Sequence, residues 1–413
     1  MESQESELIA PPEKSDPRGL ASNENYWRKV ARQYSVDPDF VNLEAGYFGL
    51  MARPILREYT RRIEALNASN SHYMRTHLEA DYEAVRERVA RLLRVSPEEI
   101  AFTRNATEAL QHLIGNYKNI KAGDTVLYAD LDYPDIQQVM NWLQSRRGAV
   151  VAKFDLPEPA TRQAVLDAYE RALAKHPQTK LLLVTHMSNR TGLVPPTKDI
   201  VAMARARGVD VVVDAAHSWA HLDWGVPDLG CDFAGFNLHK WLGAPLGAGF
   251  MYIRKERLDD IDIDYADDEF PPTDIRSRIH MGTWNVAVLN TIPTALDFHL
   301  TIGARNKDAR LRYLRDRWAL RAPEVGPFEV LTPNEPGAYG AITSFRMTGK
   351  VAPADNKAIA KWLMDRHRIF TVAREGVANG ACVRVTPALY NTVDQVDALV
   401  DALRELGRNG LPT

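Results

Sequence analysis

The amino-acid sequence predicts an α/β protein with a large domain built on a mostly parallel sheet and a smaller α+β domain towards the C-terminus. Three observations support this fold class. Short apolar runs alternate with helical patterns between residues 97 and 254. The runs are continuous rather than alternating, which is typical of parallel strands that helices cover on both faces. After about residue 300, alternating strand patterns replace them.

In residues 97–254, predicted strands and helices follow one another along the chain. Each strand is a short apolar run, and each helix spaces its apolar residues at a period near 3.6. We predict strands at residues 100–102, 125–128, 150–154, 181–184 and 209–213, and helices between them at 107–116, 134–147, 161–175 and 198–207. Ligands of such sheets bind at the carboxyl ends of the strands, so the polar residues that follow each strand are candidates for a site.

The last hundred residues predict the smaller α+β domain. Residues 342–345 and 383–386 alternate between apolar and polar side chains, as half-buried strands do. A final helix is indicated by four apolar residues at helical spacing, which are Val393, Val396, Val400 and Leu403.

The domain boundaries follow from where these patterns begin and end. We expect residues 45–300 to form the large domain and residues 23–44 to join residues 301–413 in the small one. Residues 1–22 are polar, contain three prolines and lack a periodic pattern, so we expect a disordered tail there.

The composition is that of an ordinary globular protein and excludes several function classes. The 413 residues carry a formal net charge of −3, which gives no basic excess for nucleic acid or an anionic membrane surface. No apolar run approaches the length of about 18 residues that spans a membrane. The acidic residues 1–7 do not resemble a leader, so we expect a cytoplasmic protein. Two cysteines, Cys231 and Cys382, are too few for a disulfide scaffold.

An aspartate and a lysine are the main chemical candidates. Asp214 directly follows the buried run 211–213, which directs it to the expected crevice; the alternative is a surface aspartate that begins a turn. Lys240 lies between Leu238 and Trp241, and a lysine in apolar surroundings can act as an imine-forming amine; the alternative is a lysine whose ammonium reaches water. Together they match the two protein groups that pyridoxal phosphate requires, a carboxylate for its pyridine nitrogen and an amine for its aldehyde.

With these residues, the sequence resembles pyridoxal-phosphate (PLP) enzymes of fold type I, in the class V aminotransferase superfamily and its isopenicillin-N-epimerase-like branch. The resemblance runs from about Trp27 to Leu406. It implies PLP as cofactor, Lys240 as the Schiff-base lysine and proton shuttle, and Asp214 as the partner of the pyridine nitrogen. It also implies a large domain with a mostly parallel, seven-stranded type of sheet covered by helices.

Several turns that follow predicted strands match the family's cofactor contacts. Ala106 and Thr107 match its phosphate-binding turn, where free backbone N–H groups and the helix dipole suit an anion. Tyr133 matches the ring that stacks on the pyridine. Near the phenolic oxygen the matches are Asn189 and His217, of which His217 is also a catalytic candidate, and at the phosphate the match is His239. Outside this resemblance, each is an ordinary turn, cap or packing residue.

Two further segments resemble family motifs. Residues 282–285 resemble a loop whose threonine, here Thr283, reaches the phosphate of the neighbouring subunit, which implies a homodimer with shared active sites. Residues 382–387 resemble the strand whose arginine, here Arg384, binds the substrate α-carboxylate with its planar fork. The alternatives are a lid-loop turn and a surface-strand arginine.

Substrate contacts beyond the α-carboxylate are proposed more broadly. Asn42 begins a segment that resembles the family's cover over the substrate mouth. Arg75 is a candidate contact for a distal acid group, and Arg104 and Arg190 are further candidates beside the pocket. More than one cation there favours an acidic substrate, but each arginine can equally be a structural salt-bridge partner.

No metal site is expected. His217 and His221 have the i, i+4 spacing of zinc ligands on a helix, but no glutamate follows the first histidine and no third ligand is nearby.

The resemblance leaves the reaction type open but argues against cysteine desulfurase. Desulfurases carry a nucleophilic cysteine on a loop before the carboxylate arginine, and residues 369–376 contain none. Cys382 is expected to be a buried structural thiol. We expect α-proton removal from an amino acid or an amino-acid-containing small molecule, with epimerisation, transamination and C–S lysis as outcomes. A catalytically silent PLP-fold binding module is the non-enzyme alternative, and it would require the loss of Lys240 or Asp214.

Overall fold

A computed structural model describes residues 8–13 and 15–411. Its helices are α1 (Pro17–Ala21), α2 (Glu24–Ala31), α3 (Arg53–Thr76), α4 (Leu78–Leu93), α5 (Ala106–Gly115), α6 (Pro134–Arg147), α7 (Arg162–Lys175), α8 (Thr197–Arg205), α9 (Val226–Leu229), α10 (Val286–Ile302), α11 (Ala304–Ala319), α12 (Ala322–Val325), α13 (Pro353–His367) and α14 (Val393–Asn409). The strands are β1 (Val41–Asn42), β2 (Ile100–Thr103), β3 (Thr125–Ala129), β4 (Val150–Phe154), β5 (Thr179–Thr185), β6 (Asp210–Asp214), β7 (Phe233–Asn237), β8 (Gly249–Ile253), β9 (Phe328–Val330), β10 (Thr343–Met347), β11 (Ile369–Phe370), β12 (Val372–Arg374) and β13 (Cys382–Val385).

A seven-stranded sheet forms the centre of the molecule, in the order β2-β8-β7-β6-β5-β3-β4. Only β8 runs antiparallel to its neighbours in this sheet, so the predicted mostly parallel sheet is confirmed. Its inner strand β7 is buried along its whole length and β5 at every residue except Lys180, and helices on both faces provide that burial.

Two strands of this sheet, β7 and β8, are absent from the sequence prediction. Gly235 lies in the middle of β7 and weakens its strand signal, because glycine has no side chain to pack. The structure shows why glycine is there: a Cβ atom would come within 2.7 Å of the Leu110 side chain on α5. The close approach of α5 to the sheet therefore explains the missed strand.

Local signals fix the helix starts that border the site. The Asn105 side chain accepts the backbone N–H of Glu108 and caps α5. Pro134 occupies the first turn of α6, where its missing N–H group costs nothing. Both helices therefore begin directly after a strand of the central sheet, with their N-termini at its carboxyl edge.

A second, antiparallel sheet in the order β12-β13-β10-β9 forms the smaller α+β part of the chain. The short strand β1 pairs in parallel with β11, which joins residues 41–42 to this part. Leu43 packs in the same apolar cluster as Phe345, Val383 and Leu403. These contacts support the predicted grouping of the N-terminal segment with the C-terminal one, and the exact domain boundaries stay a prediction.

The predicted disordered tail is wrong for residues 17–21, which form helix α1. Asp16 caps this helix by accepting the N–H of Gly19, and Leu20 and Ala21 are buried. Burial of these apolar side chains against the core offsets the cost of ordering the segment. Residues 1–7 and 14 lie outside the described residues. Among the helices that the structure describes, none is long and apolar enough to cross a membrane.

Candidate active site

A cavity of about 310 Å³ opens at the carboxyl edge of the central sheet. Its floor includes the last residues of three adjacent strands, which are Thr185 on β5, Asp214 on β6 and Asn237 on β7. The small sheet closes one side with Arg374 on β12 and Arg384 on β13. The cavity therefore lies where parallel sheets bind ligands, between the two sheets.

Lys240 and His217 meet inside this cavity. The Nζ atom of Lys240 lies 2.9 Å from the Nε2 atom of His217. On the other side of the imidazole ring, the indole N–H of Trp241 donates to Nδ1 at 3.3 Å. Because an indole can only donate, Nδ1 accepts and the proton of a neutral His217 sits on Nε2, facing the amine. The lysine amine then accepts this proton's hydrogen bond, which requires the neutral form of Lys240.

The electrostatics of the cavity favour that neutral form. Burial lowers the pKa of Lys240 to about 7, and the nearby Asp214 carboxylate opposes this by favouring the ammonium. Burial also lowers the pKa of His217 well below its ordinary value, and the charge of Lys240 adds to the effect. The lysine is therefore available as a nucleophile and base near neutral pH.

Asp214 is buried at 2% exposure, and burial raises the pKa of its carboxyl group. One of its oxygens accepts the N–H of Ala216 at 2.9 Å, which orients the side chain at the end of β6. A carboxylate held in this way and lacking a full ion-pair partner suits a cationic or protonated nitrogen of a ligand.

The N-terminus of α5 lines another wall of the cavity with Ala106 and Thr107. The N–H of Ala106 donates to Asn237 Oδ1 at 2.8 Å, which ties this turn to β7. His239 also lines the cavity, and its Nδ1–H donates to the carbonyl of Ala248 at 2.9 Å. A helix N-terminus with a neighbouring hydroxyl and imidazole fits a phosphate group.

Two buried polar atoms at the cavity lack a hydrogen-bond partner, Oγ1 of Thr185 and Oδ1 of Asn189. Such atoms are costly unless a ligand or water satisfies them. Tyr133 lines the cavity as well, at the start of α6. A flat polar ring with a phosphate arm would meet all of these groups, so the residues present fit PLP.

Arg384 is fully buried and bound to Glu44. Its Nε and Nη2 atoms both donate to the Glu44 carboxylate, and its Nη1 atom donates to the carbonyl of Asn189 at 2.6 Å. The sequence prediction missed Glu44 and the second cavity arginine, Arg374. The signal for Arg374 is its position on β12 beside β13, but that pairing is visible only once the sheet is known.

Some predicted site residues lie outside the cavity of this chain. Thr283 and Arg75 are exposed and do not line it. Asn42 does not line it either: its side chain accepts the N–H of Glu44 at 2.9 Å, which holds the turn after β1. Within this chain, neither Asn42 nor Arg75 reaches the cavity, and their roles as substrate contacts stay a prediction.

The two other arginine candidates differ. Arg104 lines the cavity and forms an ion pair with Glu108. Arg190 is buried and donates to the carbonyls of Asp130 and Gly376, so it ties two loops together and is structural.

His221 makes two backbone contacts that leave its ring no free nitrogen. Its Nδ1 donates to the carbonyl of His217, and its Nε2 accepts the N–H of Ala341 at 2.8 Å. Within residues 8–13 and 15–411, no group of three or more His, Cys, Asp or Glu side chains is arranged to hold a metal ion.

Fold and cavity together define the class of protein, a PLP-dependent enzyme of fold type I. The model of the aminotransferase class-V family matches residues 55–399, and the chain belongs to this family. An isopenicillin N epimerase of Amycolatopsis lactamdurans is 30% identical over 400 residues, which cover 92% of this chain and 99% of that relative. The resemblance seen in the sequence is thereby confirmed.

Solved structures agree in fold. The apo cysteine desulfurase from Thermococcus onnurineus NA1 matches with a TM-score of 0.78 at 21% identity, covering 92% of this chain and 97% of that one. A mutant of C-DES with glycine covalently linked to its PLP cofactor matches with a TM-score of 0.77 at 21% identity, covering 91% of this chain and 98% of that one.

Proposed function

We propose that this enzyme removes the α-proton of an amino acid or an amino-acid-containing small molecule, with Lys240 as the group that moves the proton. The observation that carries the proposal is the 2.9 Å contact between the Lys240 amine and the N–H of His217 in a cavity that lowers the lysine pKa to about 7. When bound, PLP supplies the electron sink that makes an α-proton acidic.

The surrounding residues divide the remaining work. Asp214 would keep the pyridine nitrogen of PLP protonated, since its buried carboxylate has no full ion-pair partner. Tyr133 would stack on the ring, and Asn189 and His217 would contact the phenolic oxygen. The phosphate would be held by Ala106, Thr107 and His239. Arg384 would bind the substrate α-carboxylate.

Epimerisation is the reaction that we favour. A relative that is matched over 99% of its length is an isopenicillin N epimerase. Inversion requires that the proton return to the opposite face of the α-carbon, either from Lys240 or from a second acid. Desulfuration lacks its nucleophile, since residues 369–376 contain no cysteine. Cys382 is buried, and burial raises the pKa of its thiol to about 11, which keeps it protonated at neutral pH. Transamination and C–S lysis stay as alternatives.

A panel of amino acids in both enantiomeric forms, incubated with the PLP-loaded protein in D2O, tests the proposal by mass spectrometry. We expect one amino acid to gain deuterium at the α-carbon and its mirror form to appear. Formation of a keto acid would instead assign transamination as the reaction. If no free amino acid and no peptide or thioether conjugate exchanges its α-proton, α-proton removal itself is refuted.

We also propose a homodimer. Thr283 is exposed beside the start of α10, which is compatible with a contact to the phosphate site of a second subunit. Tyr47 lines the cavity and is 75% exposed, so a second subunit would cover an aromatic ring at the mouth. Sedimentation equilibrium of the PLP-loaded protein would decide between monomer and dimer. The PLP affinity of Thr283→Ala would test whether this threonine contacts the phosphate.

A further inference from the structure

Two arginines of the small sheet face the same cavity. In the antiparallel pair of β12 and β13, Val372 lies opposite Arg384, and Arg374 lies opposite Cys382. Arg374 and Arg384 are thus diagonal neighbours on one face of the sheet, and both line the cavity. This places two guanidinium groups within reach of one ligand.

Among the residues that the structure describes, Glu44 is the one carboxylate paired with these two arginines, and it is shared unequally. It takes two donors of Arg384, whereas its distance to the Nη2 atom of Arg374 is 3.9 Å, beyond hydrogen-bond range. The Nε atom of Arg374 is buried and has no hydrogen-bond partner. Glu44 therefore neutralises the charge of Arg384. The guanidinium of Arg374, on the same side of the cavity, keeps N–H donors that Glu44 does not bind.

The two arginines also differ in depth. The side chain of Arg384 is 0% exposed, and that of Arg374 is 28% exposed. Arg384 lies deep in the cavity and keeps two of its five N–H donors beyond those bound by Glu44 and Asn189. Arg374 lies nearer to solvent, so a ligand held by both would place one acidic group deep and another towards the mouth.

We propose that Arg374 binds a second carboxylate of the substrate, so that the substrate class is an amino acid or short peptide with two carboxylates. This inference rests on the proposed function, in which Arg384 binds the α-carboxylate. A planar guanidinium with free donors binds a carboxylate through two parallel hydrogen bonds. Burial and the charge of Arg384 lower the pKa of Arg374 to about 10. A bound anion would offset this repulsion between the two cations.

The test compares two unreactive acids of similar length, glutarate with two carboxylates and butyrate with one, binding to the PLP-loaded protein by calorimetry. We expect the wild type to bind glutarate roughly ten to a hundred times more tightly, as a charge-assisted pair implies. In Arg374→Gln this ratio should fall to near one, and Arg374→Lys should restore part of it. Arg366→Gln is the matched control, because Arg366 is 67% exposed and pairs only loosely with Glu405.

Three outcomes would overturn the proposal. A wild-type ratio near one does so without any variant, which covers the case that Arg374→Gln does not fold. An unchanged ratio in a folded Arg374→Gln, with both affinities as in the wild type, gives Arg374 a structural role. Equal weakening of both acids means that the two arginines clamp a single carboxylate.

A reactive pair gives a second readout. In D2O, glutamate should exchange its α-proton faster than glutamine in the wild type, and Arg374→Gln should remove that preference. A separate measurement shows whether the proposed function fails. If it fails, borohydride reduction of the PLP-loaded protein leaves Lys240 unmodified in peptide mass spectra, whatever the ratio of acid affinities.

Discussion

Two lysines in this molecule have the same lowered pKa and different surroundings. Burial lowers the pKa of both Lys240 and Lys307 from 10.5 to about 7. Lys240 is half-buried and meets His217 in a cavity of about 310 Å³, near the Asp214 carboxylate. Lys307, on α11, is buried at 5% exposure, donates to the carbonyl of Trp241 and borders a space of only about 30 Å³.

The comparison teaches that a lowered lysine pKa does not by itself mark a catalytic group. Desolvation alone produces it at Lys307, where there is no room for a substrate. At Lys240 the same effect occurs beside a histidine N–H and a carboxylate, in a space that admits a ligand. Function is therefore assigned from the cavity and the partners, and the pKa only supports it.

The largest expected effect separates the two lysines by chemistry. In Lys240→Ala, α-proton exchange should fall on the order of 10²–10⁴-fold or more, and no other lysine of the variant should carry a borohydride-reducible PLP adduct. In Lys307→Met the adduct should persist. Absorbance spectra and peptide mass spectrometry after reduction measure both, and an adduct that survives in Lys240→Ala would refute the assignment.

A second effect concerns Asp214, whose carboxylate raises the pKa of Lys240 but is not among the influences on Lys307. In Asp214→Asn, the pKa of Lys240 should fall below about 7, while that of Lys307 should not change. Labelling of the PLP-free protein with an amine-reactive reagent across pH, read by mass spectrometry, follows Lys240. Lys307 should stay unlabelled because it is buried at 5% exposure beside a space of only about 30 Å³. Rapid labelling of Lys307 in the folded protein would contradict the comparison.

A third effect is on stability. Lys307 has a folded-state pKa of about 7, below its ordinary value of 10.5, so the unfolded chain binds the extra proton between these pH values. Stability should therefore rise with pH across this window, by at most roughly 1.4 kcal/mol per pH unit from this group. Lys307→Met should lose that part of the slope in urea unfolding measured from pH 7 to 10. Because Lys240 is present in both proteins, the difference in slope isolates Lys307, and equal slopes would show that Lys307 stays charged in the fold.

The smallest effect concerns the orientation of His217. In Trp241→Phe, Nδ1 of His217 loses its donor, so the ring can place its proton on either nitrogen. The rate of α-proton exchange should fall roughly two- to tenfold, the value of one hydrogen bond. Its pH profile should also change, whereas the reducible adduct at Lys240 should remain. An unaltered rate and profile would mean that Lys240 alone orients the imidazole.

Much of the cavity could be predicted from the sequence because of how parallel sheets are built. Asp214 is the last residue of β6, Asn189 and Tyr133 each follow a strand closely, and the carboxyl ends of neighbouring parallel strands meet at one edge. Lys240 follows β7 in the same way, although β7 itself was not predicted. The local sequence pattern was enough to predict that these side chains lie close together, and their chemical roles stay predictions.

The remaining features depend on contacts that no local pattern carries. Glu44 and Arg384 are 340 residues apart in the chain, and they meet because β13 lies beside the segment that follows β1. Arg374 faces the cavity because of the register between β12 and β13, and a shift of one residue would turn it away. The helix at residues 17–21 forms because Leu20 and Ala21 find a core to pack against.

The sequence by itself thus determined five of the seven strands of the central sheet and the residues at their ends, because strand and helix periodicity are local properties of the chain. The cofactor class followed from the resemblance of its motifs to a known family. The tertiary structure decided which lysine opens to a ligand, which nitrogen of His217 faces it and which arginine keeps a free fork. Those outcomes depend on desolvation and hydrogen-bond partners, which exist only when distant segments have packed together.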